Sequence, residues 1–316
     1  MHFTTPIPIF KSNHPIDYHS KIVSLGSCFA VNMAEKLDYF KFQNVVNPFG
    51  ILFHPLALNK MIQKAVLQEQ FTESAVFFHN ERWHCFDVHS DLSRASKEEF
   101  LEVLNLNVKL LHEAIVGCSH LIITLGTSWV YRRVENGQLV ANCHKVPQKE
   151  FKKMLLSVEE ITQGLEEMIK SVSSINPEAK IIFTISPVRH IKDGFVENQW
   201  SKANLISAVH QVRTQQPEIA YYFPSYEIMM DELRDYRFYA EDMIHPSATA
   251  IDYIWKRFAE TWVAESAFSM MQEVERIQRG LAHRSFHPDS EQHRKFLEGL
   301  QNSMQAVQYQ FPFIRF

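Results

Sequence analysis

The chain has 316 residues, of which 46% are hydrophobic and 22% charged, and its formal net charge is −4. A chain of this length buries a sizeable core, as one large domain or as two smaller ones. The slightly acidic balance excludes a chain-wide basic surface, so we expect no nucleic-acid partner. The cysteines Cys28, Cys85, Cys118 and Cys143 are widely spaced without a C-x-x-C pair, and we expect them to be reduced thiols.

The N-terminal residues lack the charged segment and apolar core of a signal peptide. No window approaches the roughly 18 uncharged apolar residues that a membrane span needs. We therefore expect a cytoplasmic protein with no membrane partner.

Hydrophobic patterning predicts a regular alternation of strands and helices. In the first half we predict strands at 21–27, 42–46 and 120–126, helices at 29–39, 55–67 and 97–116, and a hairpin of 75–79 with 82–88. In the second half we predict a hairpin of 128–133 with 138–142, strands at 179–186 and 219–223, and helices at 158–173, 198–215 and 246–264. Beyond residue 264 the pattern is helical to about residue 307, with no further strand.

Buried strands separated by helices predict an α/β fold with a mostly parallel sheet covered on both faces. In such a sheet, ligands bind beyond the carboxyl ends of the strands. Ser27, the segment 126–128 and the segment 186–187 each lie at the carboxyl end of a predicted strand. We therefore expect these three segments to meet at one edge of the sheet.

The stretch VSLGSCFA, residues 23–30, breaks a strand at Gly26 and re-enters as a helix, which leaves Ser27 or Cys28 at the turn. A serine hydroxyl becomes a nucleophile when a histidine takes its proton and a third group orients that histidine. In AEDMIHPSA, residues 240–248, Asp242 lies three residues before His245. In a tight turn this spacing lets the carboxylate reach the ring N–H, although Asp242 could instead cap the turn with His245 on the surface.

The order of these motifs resembles the SGNH (GDSL-like) hydrolase superfamily, and residues 26–30, GSCFA, match the signature after which the GSCFA family is named. The resemblance covers most of residues 20–260, including LGTSW (125–129), NCHK (142–145) and SPVRH (186–190). We accordingly divide the chain into an α/β domain, residues 1–264, and a C-terminal helical extension, residues 265–316. The extension lies outside the resemblance.

The resemblance implies a three-layer α/β/α, flavodoxin-like fold and ester-bond chemistry. The two predicted β-hairpins would be insertions in this fold, and we expect neither a cofactor nor a metal. Ser27 takes the position of the nucleophile, His245 that of the base and later the acid, and Asp242 that of the group orienting His245. The backbone N–H groups of Ser27 and Gly50 take the positions of oxyanion donors. A helix N-terminus after Ser27 would also favour the developing negative charge.

One departure from the superfamily concerns the third motif, which usually reads G-x-N and here reads Gly126-Thr127-Ser128. The shorter Ser128 side chain could fall short of the oxyanion. We expect Asn142, or else Thr127, to supply the missing donor. A lost donor costs on the order of a hundredfold in rate.

Other chemistry-bearing residues have simpler interpretations. Cys28 is an alternative nucleophile because helix N-termini activate thiolates, but the resemblance favours Ser27. The group His79, His84, Cys85 and His89 does not converge on one strand face, so we predict a hairpin and no metal site.

Four residues near the expected edge are candidate substrate contacts: His144, Arg189, His190 and Lys202. The cationic ones suit a carboxylate or phosphate on the substrate. The alternative is that Arg189 and Lys202 pair with nearby acids such as Asp193 or Glu197. His144 stands at the end of a predicted hairpin.

The C-terminal helices carry apolar side chains and end in QFPFIRF, which we expect to be covered. They would pack on the core or form a homodimer.

We expect hydrolysis of a small acyl ester, such as an acetyl group on a carbohydrate or similar small-molecule alcohol. An O-acyltransferase on the same triad is one alternative, and a non-catalytic binding module on a degenerate SGNH scaffold is another.

Overall fold

The computed structural model describes residues 5–316 and has ten strands and nine helices in that range. The strands are β1 (Lys21–Gly26), β2 (Gln43–Val46), β3 (Phe77–His79), β4 (Arg82–His84), β5 (His120–Leu125), β6 (Trp129–Arg133), β7 (Leu139–Val140), β8 (Phe151–Leu155), β9 (Lys180–Ile185) and β10 (Ala220–Phe223). The helices are α1 (Cys28–Tyr39), α2 (Pro55–Val66), α3 (Lys97–Gly117), α4 (Val158–Ile175), α5 (Phe195–Gln215), the single turn α6 (Ser225–Glu227), α7 (Ala248–Trp262), α8 (Phe268–Ala282) and α9 (Glu291–Gln310).

The central sheet has five parallel strands in the order β10-β9-β5-β1-β2. Alternate residues of a strand point to opposite faces, and both faces are apolar here. Ile123 and Phe183 pack with α2, α3, α4 and α5 on one face, whereas Ile122 and Ile182 pack with α1, α7, α8 and α9 on the other. The three-layer α/β/α sandwich is thereby confirmed, and all six residues of β5 are buried.

The two predicted hairpins lie outside this sheet, and one is larger than expected. β3 and β4 form the first, with Asn80 and Glu81 at positive φ as a tight hairpin turn requires. β6 pairs with β7 and also with β8, which gives a three-stranded antiparallel sheet. The lysine-containing segment 145–153 ends in β8. There Phe151 is buried, and the Lys153 ammonium lies 4.7 Å from the centre of the Trp129 ring.

The C-terminal region forms two helices, with α8 ending at Ala282 and α9 beginning at Glu291. Their apolar residues join the core cluster that contains α1 and α7, among them Val274, Ile277 and Val307. Phe311 and Ile314 of the terminal segment are buried in the same cluster. The extension therefore packs on the core, and the homodimer remains a prediction.

The last core helix begins two residues later than predicted. Ser247 caps α7 by accepting the Ala250 N–H through its hydroxyl, so the helix starts at Ala248. Pro246 instead forms an isolated bridge with Tyr239. This leaves residues 240–246 as a loop before the helix.

Gly26 ends β1 in a conformation that only glycine adopts readily, with φ +136°. A Cβ atom at this position would lie 2.1 Å from the carbonyl oxygen of Thr124 on the neighbouring strand. Two independent constraints, the backbone conformation and the space, therefore require glycine before Ser27.

Replacing Gly26 with alanine should lower the free energy of unfolding by about 3 kcal/mol or more, because strain at positive φ adds to a backbone clash. Gly137→Ala is the matched control: its φ is +71°, but nothing lies within 4 Å of an added Cβ. Denaturant unfolding should show a loss of only about 1–2 kcal/mol for this control. Equal losses in the two variants would contradict the clash.

Candidate active site

Ser27 lies between β1 and α1, at the carboxyl edge of the sheet. Its side chain is completely buried, does not cap the helix, and has an Oγ without a hydrogen-bond partner among residues 5–316. Its N–H donates to the Thr124 carbonyl at 3.1 Å. Since buried hydroxyls are normally paired, an uncommitted Oγ at a strand-to-helix turn is a candidate reactive group.

Asp242 and His245 form a hydrogen-bonded pair in the loop before α7. The Oδ2 atom of Asp242 lies 2.6 Å from Nδ1 of His245, and its Oδ1 accepts the N–H groups of Ile244 and His245, both at 3.0 Å. These backbone donors, followed by the His245 ring, lower the pKa of Asp242 to about 2. The ionised carboxylate therefore fixes hydrogen on Nδ1 and leaves Nε2 of His245 as an acceptor.

The loop that carries this pair is tied to the segment after β9. The Arg189 N–H donates to the Ile244 carbonyl at 3.0 Å. The pair and Ser27 therefore belong to the same edge of the sheet. No hydrogen bond joins Ser27 Oγ to His245 within the described residues, where Ser27 is buried and 42% of the His245 side chain is exposed. The triad assignment stays a prediction.

A segment after β2 covers the end of β5 beside Ser27. The Phe53 carbonyl accepts the N–H groups of Gly126 and Thr127 at 2.8 and 3.1 Å. A Cβ added at Gly126 would lie 3.2 Å from the Phe53 ring and 3.3 Å from the Ser27 Cβ. Phe53 and Ser27 are thus close neighbours across Gly126, and no motif in the sequence points to Phe53.

The predicted backbone donors of the oxyanion hole are both engaged. The Ser27 N–H donates to Thr124, as described, and the Gly50 N–H donates to the Asn47 carbonyl at 2.8 Å. Stabilising an oxyanion with either group would require these bonds to break.

Two of the three predicted side-chain donors, the hydroxyls of Ser128 and Thr127, are engaged as well. Ser128 Oγ donates to the Ser201 carbonyl at 3.0 Å, and Thr127 Oγ1 lies 3.0 Å from Ser201 Oγ while accepting the Trp129 N–H. Asn142 follows β7, outside the central sheet, where its Oδ1 accepts the His144 N–H at 2.8 Å. This bond does not involve its Nδ2 donor.

Lys202 does not contact solvent, which corrects its expected role in substrate binding. Its side chain is completely buried in α5, and its Nζ donates to the carbonyls of Gly126 at 2.6 Å and Ser186 at 2.7 Å. It therefore joins the ends of β5 and β9 beneath the site. Burial lowers the pKa of Lys202 to about 7, and a neutral amine still has two N–H groups for the two carbonyls.

His144 also differs from its expected role. It is buried against β4, with Nε2 2.6 Å from the Cys85 carbonyl and its ring centre 4.7 Å from that of His84. Burial lowers the pKa of His144 to about 4. These contacts make it part of the hairpin packing rather than a substrate contact.

Arg189 and His190 follow β9, and each has a buried nitrogen without a partner among residues 5–316: Nε of Arg189 and Nε2 of His190. Asn198 of α5 accepts the His190 N–H at 2.8 Å through Oδ1, while its own Nδ2 is also unpartnered. Asp193 pairs with Lys153 instead of Arg189. Unpaired buried polar atoms therefore concentrate around the site, where a ligand could satisfy them.

Beside Lys202, α5 supplies two residues for which the sequence predicted no role, Asn198 and Ser201. Ser201 and Lys202 follow Asn198 by three and four positions, so the three residues share one helix face, and all three are buried. Polar residues at that spacing were the signal that could have revealed this face. This face of α5 packs beneath the ends of β5 and β9.

A groove of about 550 Å³ lies beside the Asp242–His245 pair. Its lining combines Asp242 and Arg189 with the aromatic rings of Phe195, Tyr236 and Tyr239. The groove could hold the part of a substrate that lies beyond the reacting bond.

Cys28 begins α1 next to Ser27. Burial raises the pKa of its thiol, which disfavours the reactive thiolate. Within residues 5–316, no three His, Cys, Asp or Glu side chains are grouped so as to hold a metal ion.

Comparison with known families identifies the chain. Residues 21–258 match the model of the GSCFA family, and residues 274–316 match that of the GSCFA domain protein, C-terminal domain. The chain therefore belongs to the GSCFA family, and the second match lies within the helical extension.

Among solved structures, one described as "a putative platelet activating factor from Streptococcus pneumonia" is similar, with 12% sequence identity and a TM-score of 0.40. The similarity covers 78% of this chain and 84% of that one. No curated protein matches this chain.

The pH dependence of the stability of Lys202→Met tests whether burial lowers the pKa of Lys202. Its pKa is lower in the folded than in the unfolded chain, so between pH 7 and about 10 the unfolded state binds more protons and stability rises with pH. The difference in unfolding free energy, wild type minus Lys202→Met, should therefore grow from pH 7 to pH 9 in denaturant titrations.

The exposed Lys170→Met variant of α4 is the control for this measurement, and its difference from wild type should not depend on pH over that range. A constant difference for Lys202→Met between pH 7 and pH 9 would show that the Lys202 pKa is not lowered.

Proposed function

We propose that this protein is a serine-dependent acyl-ester hydrolase of the SGNH type. The observation that carries the proposal is the uncommitted, buried Oγ of Ser27 on the same sheet edge as the aligned Asp242–His245 pair. The strand-to-helix turn of Ser27 supports it, because α1 begins directly afterwards and its positive N-terminal end favours an anion.

In this proposal Ser27 Oγ attacks the ester carbonyl carbon while His245 Nε2 accepts the hydroxyl proton. The tetrahedral intermediate expels the alcohol, which takes that proton from His245. Water then attacks the acyl-enzyme with His245 again as base, and the acid product leaves Ser27 with its proton restored. Asp242 stabilises the imidazolium throughout. Ser27 Oγ and His245 Nε2 must approach to about 3 Å for the proton transfer.

The surroundings favour a small acyl group, because Ser27 is buried beneath the segment that carries Phe53. The groove beside Asp242 offers room for the alcohol part, and its lining includes aromatic side chains, the kind of group on which a sugar stacks. We therefore propose an acetyl ester of a carbohydrate or similar alcohol as substrate. An O-acyltransferase would use the same acyl-enzyme with an alcohol in place of water.

A non-catalytic binding module is the second candidate. It is favoured by the lack of a hydrogen bond between Ser27 Oγ and His245 among residues 5–316 and by the engagement of the predicted backbone oxyanion donors. A binding module would differ from the hydrolase in having a Ser27 that does not react with serine-directed reagents.

We also propose a cytoplasmic location. All four cysteines are free thiols, as a reducing compartment requires. No helix in residues 5–316 combines the length and the apolar character needed to cross a membrane.

Labelling with an alkyl fluorophosphonate, followed by mass-spectrometric mapping, tests the nucleophile. The wild type should carry the label on Ser27, and Ser27→Ala should carry none. His245→Ala should label at least about 100-fold more slowly, because the base that accepts the serine proton is gone.

Cys28→Ala is the matched control in this experiment, since it changes the neighbouring residue and should keep most of the labelling rate. A label on Cys28 would reverse the choice of nucleophile. An unlabelled, folded wild type would favour the binding module.

A further inference from the structure

The proposed hydrolase needs a group that stabilises the oxyanion, and most of the groups that the sequence suggests are otherwise engaged, whereas Asn142 lies after β7, outside the central sheet. The N–H groups of Ser27 and Gly50 donate to backbone carbonyls, and the hydroxyl of Ser128 donates to Ser201. An oxyanion at Ser27 therefore calls for a different donor on the same edge, and this requirement rests on the proposed function.

Two packing contacts link His190 to Ser27 through Phe53. Its ring lies edge-on to Phe53, with ring centres 5.7 Å apart, and Phe53 meets Ser27 across Gly126. Asn198 holds the His190 backbone by accepting its N–H at 2.8 Å. The ring is therefore anchored from the helix side and packed against the segment that covers Ser27.

The ring of His190 has hydrogen-bonding capacity that nothing in the described chain uses. Its Nε2 is buried without a partner, which is costly unless a ligand completes the site. Burial, with the nearby charges of Lys202 and His245, lowers the pKa of His190 to about 3. The imidazole is therefore neutral near pH 7 and carries one N–H that can donate without competing with His245 for the serine proton.

We propose that His190 is a catalytic residue whose Nε2–H donates a hydrogen bond to the oxyanion on the carbon attached to Ser27. It thereby replaces the asparagine that the G-x-N motif lacks. Lys202 and Asn198 act as positioning residues, since one joins the ends of β5 and β9 and the other holds the His190 backbone.

The pair His190→Gln and His190→Met tests this role, because both side chains are similar in length but only glutamine has an N–H donor. With p-nitrophenyl acetate, His190→Met should lower kcat by about 100-fold or more with little change in KM, since the donor acts on the transition state. The kcat of His190→Gln should be at least about tenfold higher than that of His190→Met. The pH midpoint of kcat in His190→Gln should equal that of the wild type, because His190 is not the base.

His210→Ala is the control, because His210 is a half-buried histidine near the other end of α5 and should leave kcat unchanged. Equal activities of the glutamine and methionine variants would overturn the proposal. If either variant fails to fold, the phosphonylated wild type decides: His190 Nε2 within about 3.2 Å of the phosphonyl oxygen supports the role, and a larger separation overturns it.

The two proposals fail in distinguishable ways. A wild type that neither reacts with the fluorophosphonate nor hydrolyses the ester overturns the hydrolase and this role together. A reactive wild type whose His190→Met variant hydrolyses the ester at the wild-type rate overturns the His190 role alone.

Discussion

The close approach of Gly26 to β5 is the constraint on which the candidate site depends. Its peptide is held on several sides: the N–H donates to Asn47 Oδ1 at 2.8 Å and the carbonyl accepts the Leu52 N–H at 3.1 Å. There is no room for a side chain, so the chain must leave the strand here and turn into α1. This fixes Ser27 at the edge of the sheet and fixes the segment after β2 beside it.

A second constraint comes from the opposite side of the edge, where α5 holds β5 and β9 together through Lys202. Lys202 is fully buried and has no carboxylate partner among residues 5–316, which destabilises the fold. Its hydrogen bonds to the two carbonyls offset part of this cost and hold the ends of the two strands in place. The lowered pKa values of Lys202 and His190 have the same origin, because both groups lie in one poorly solvated region. Such a region strengthens any hydrogen bond to a developing charge.

The sheet and most helices were predictable because buried strands and helical periodicity are local signals, as in residues 120–126 and 158–173. The Asp242–His245 contact was predictable too, since three residues in a tight turn leave few geometries. The roles of Lys202 and His144 were not, because their burial depends on contacts between distant segments, such as those 59 and 76 residues apart. Phe53 gave no signal, because its contact with Gly126 arises only when the β2 segment folds over β5.

The central claim is that Ser27 is a nucleophile served by His245, and a crystal structure of the phosphonylated protein tests it most directly. In that structure the phosphorus should be bonded to Ser27 Oγ, and Nε2 of His245 should lie within about 3.5 Å of this oxygen. Asp242 should keep its contact with Nδ1 of His245. A phosphorus atom on any other residue, or a His245 more than about 8 Å from Ser27 Oγ, would contradict the claim.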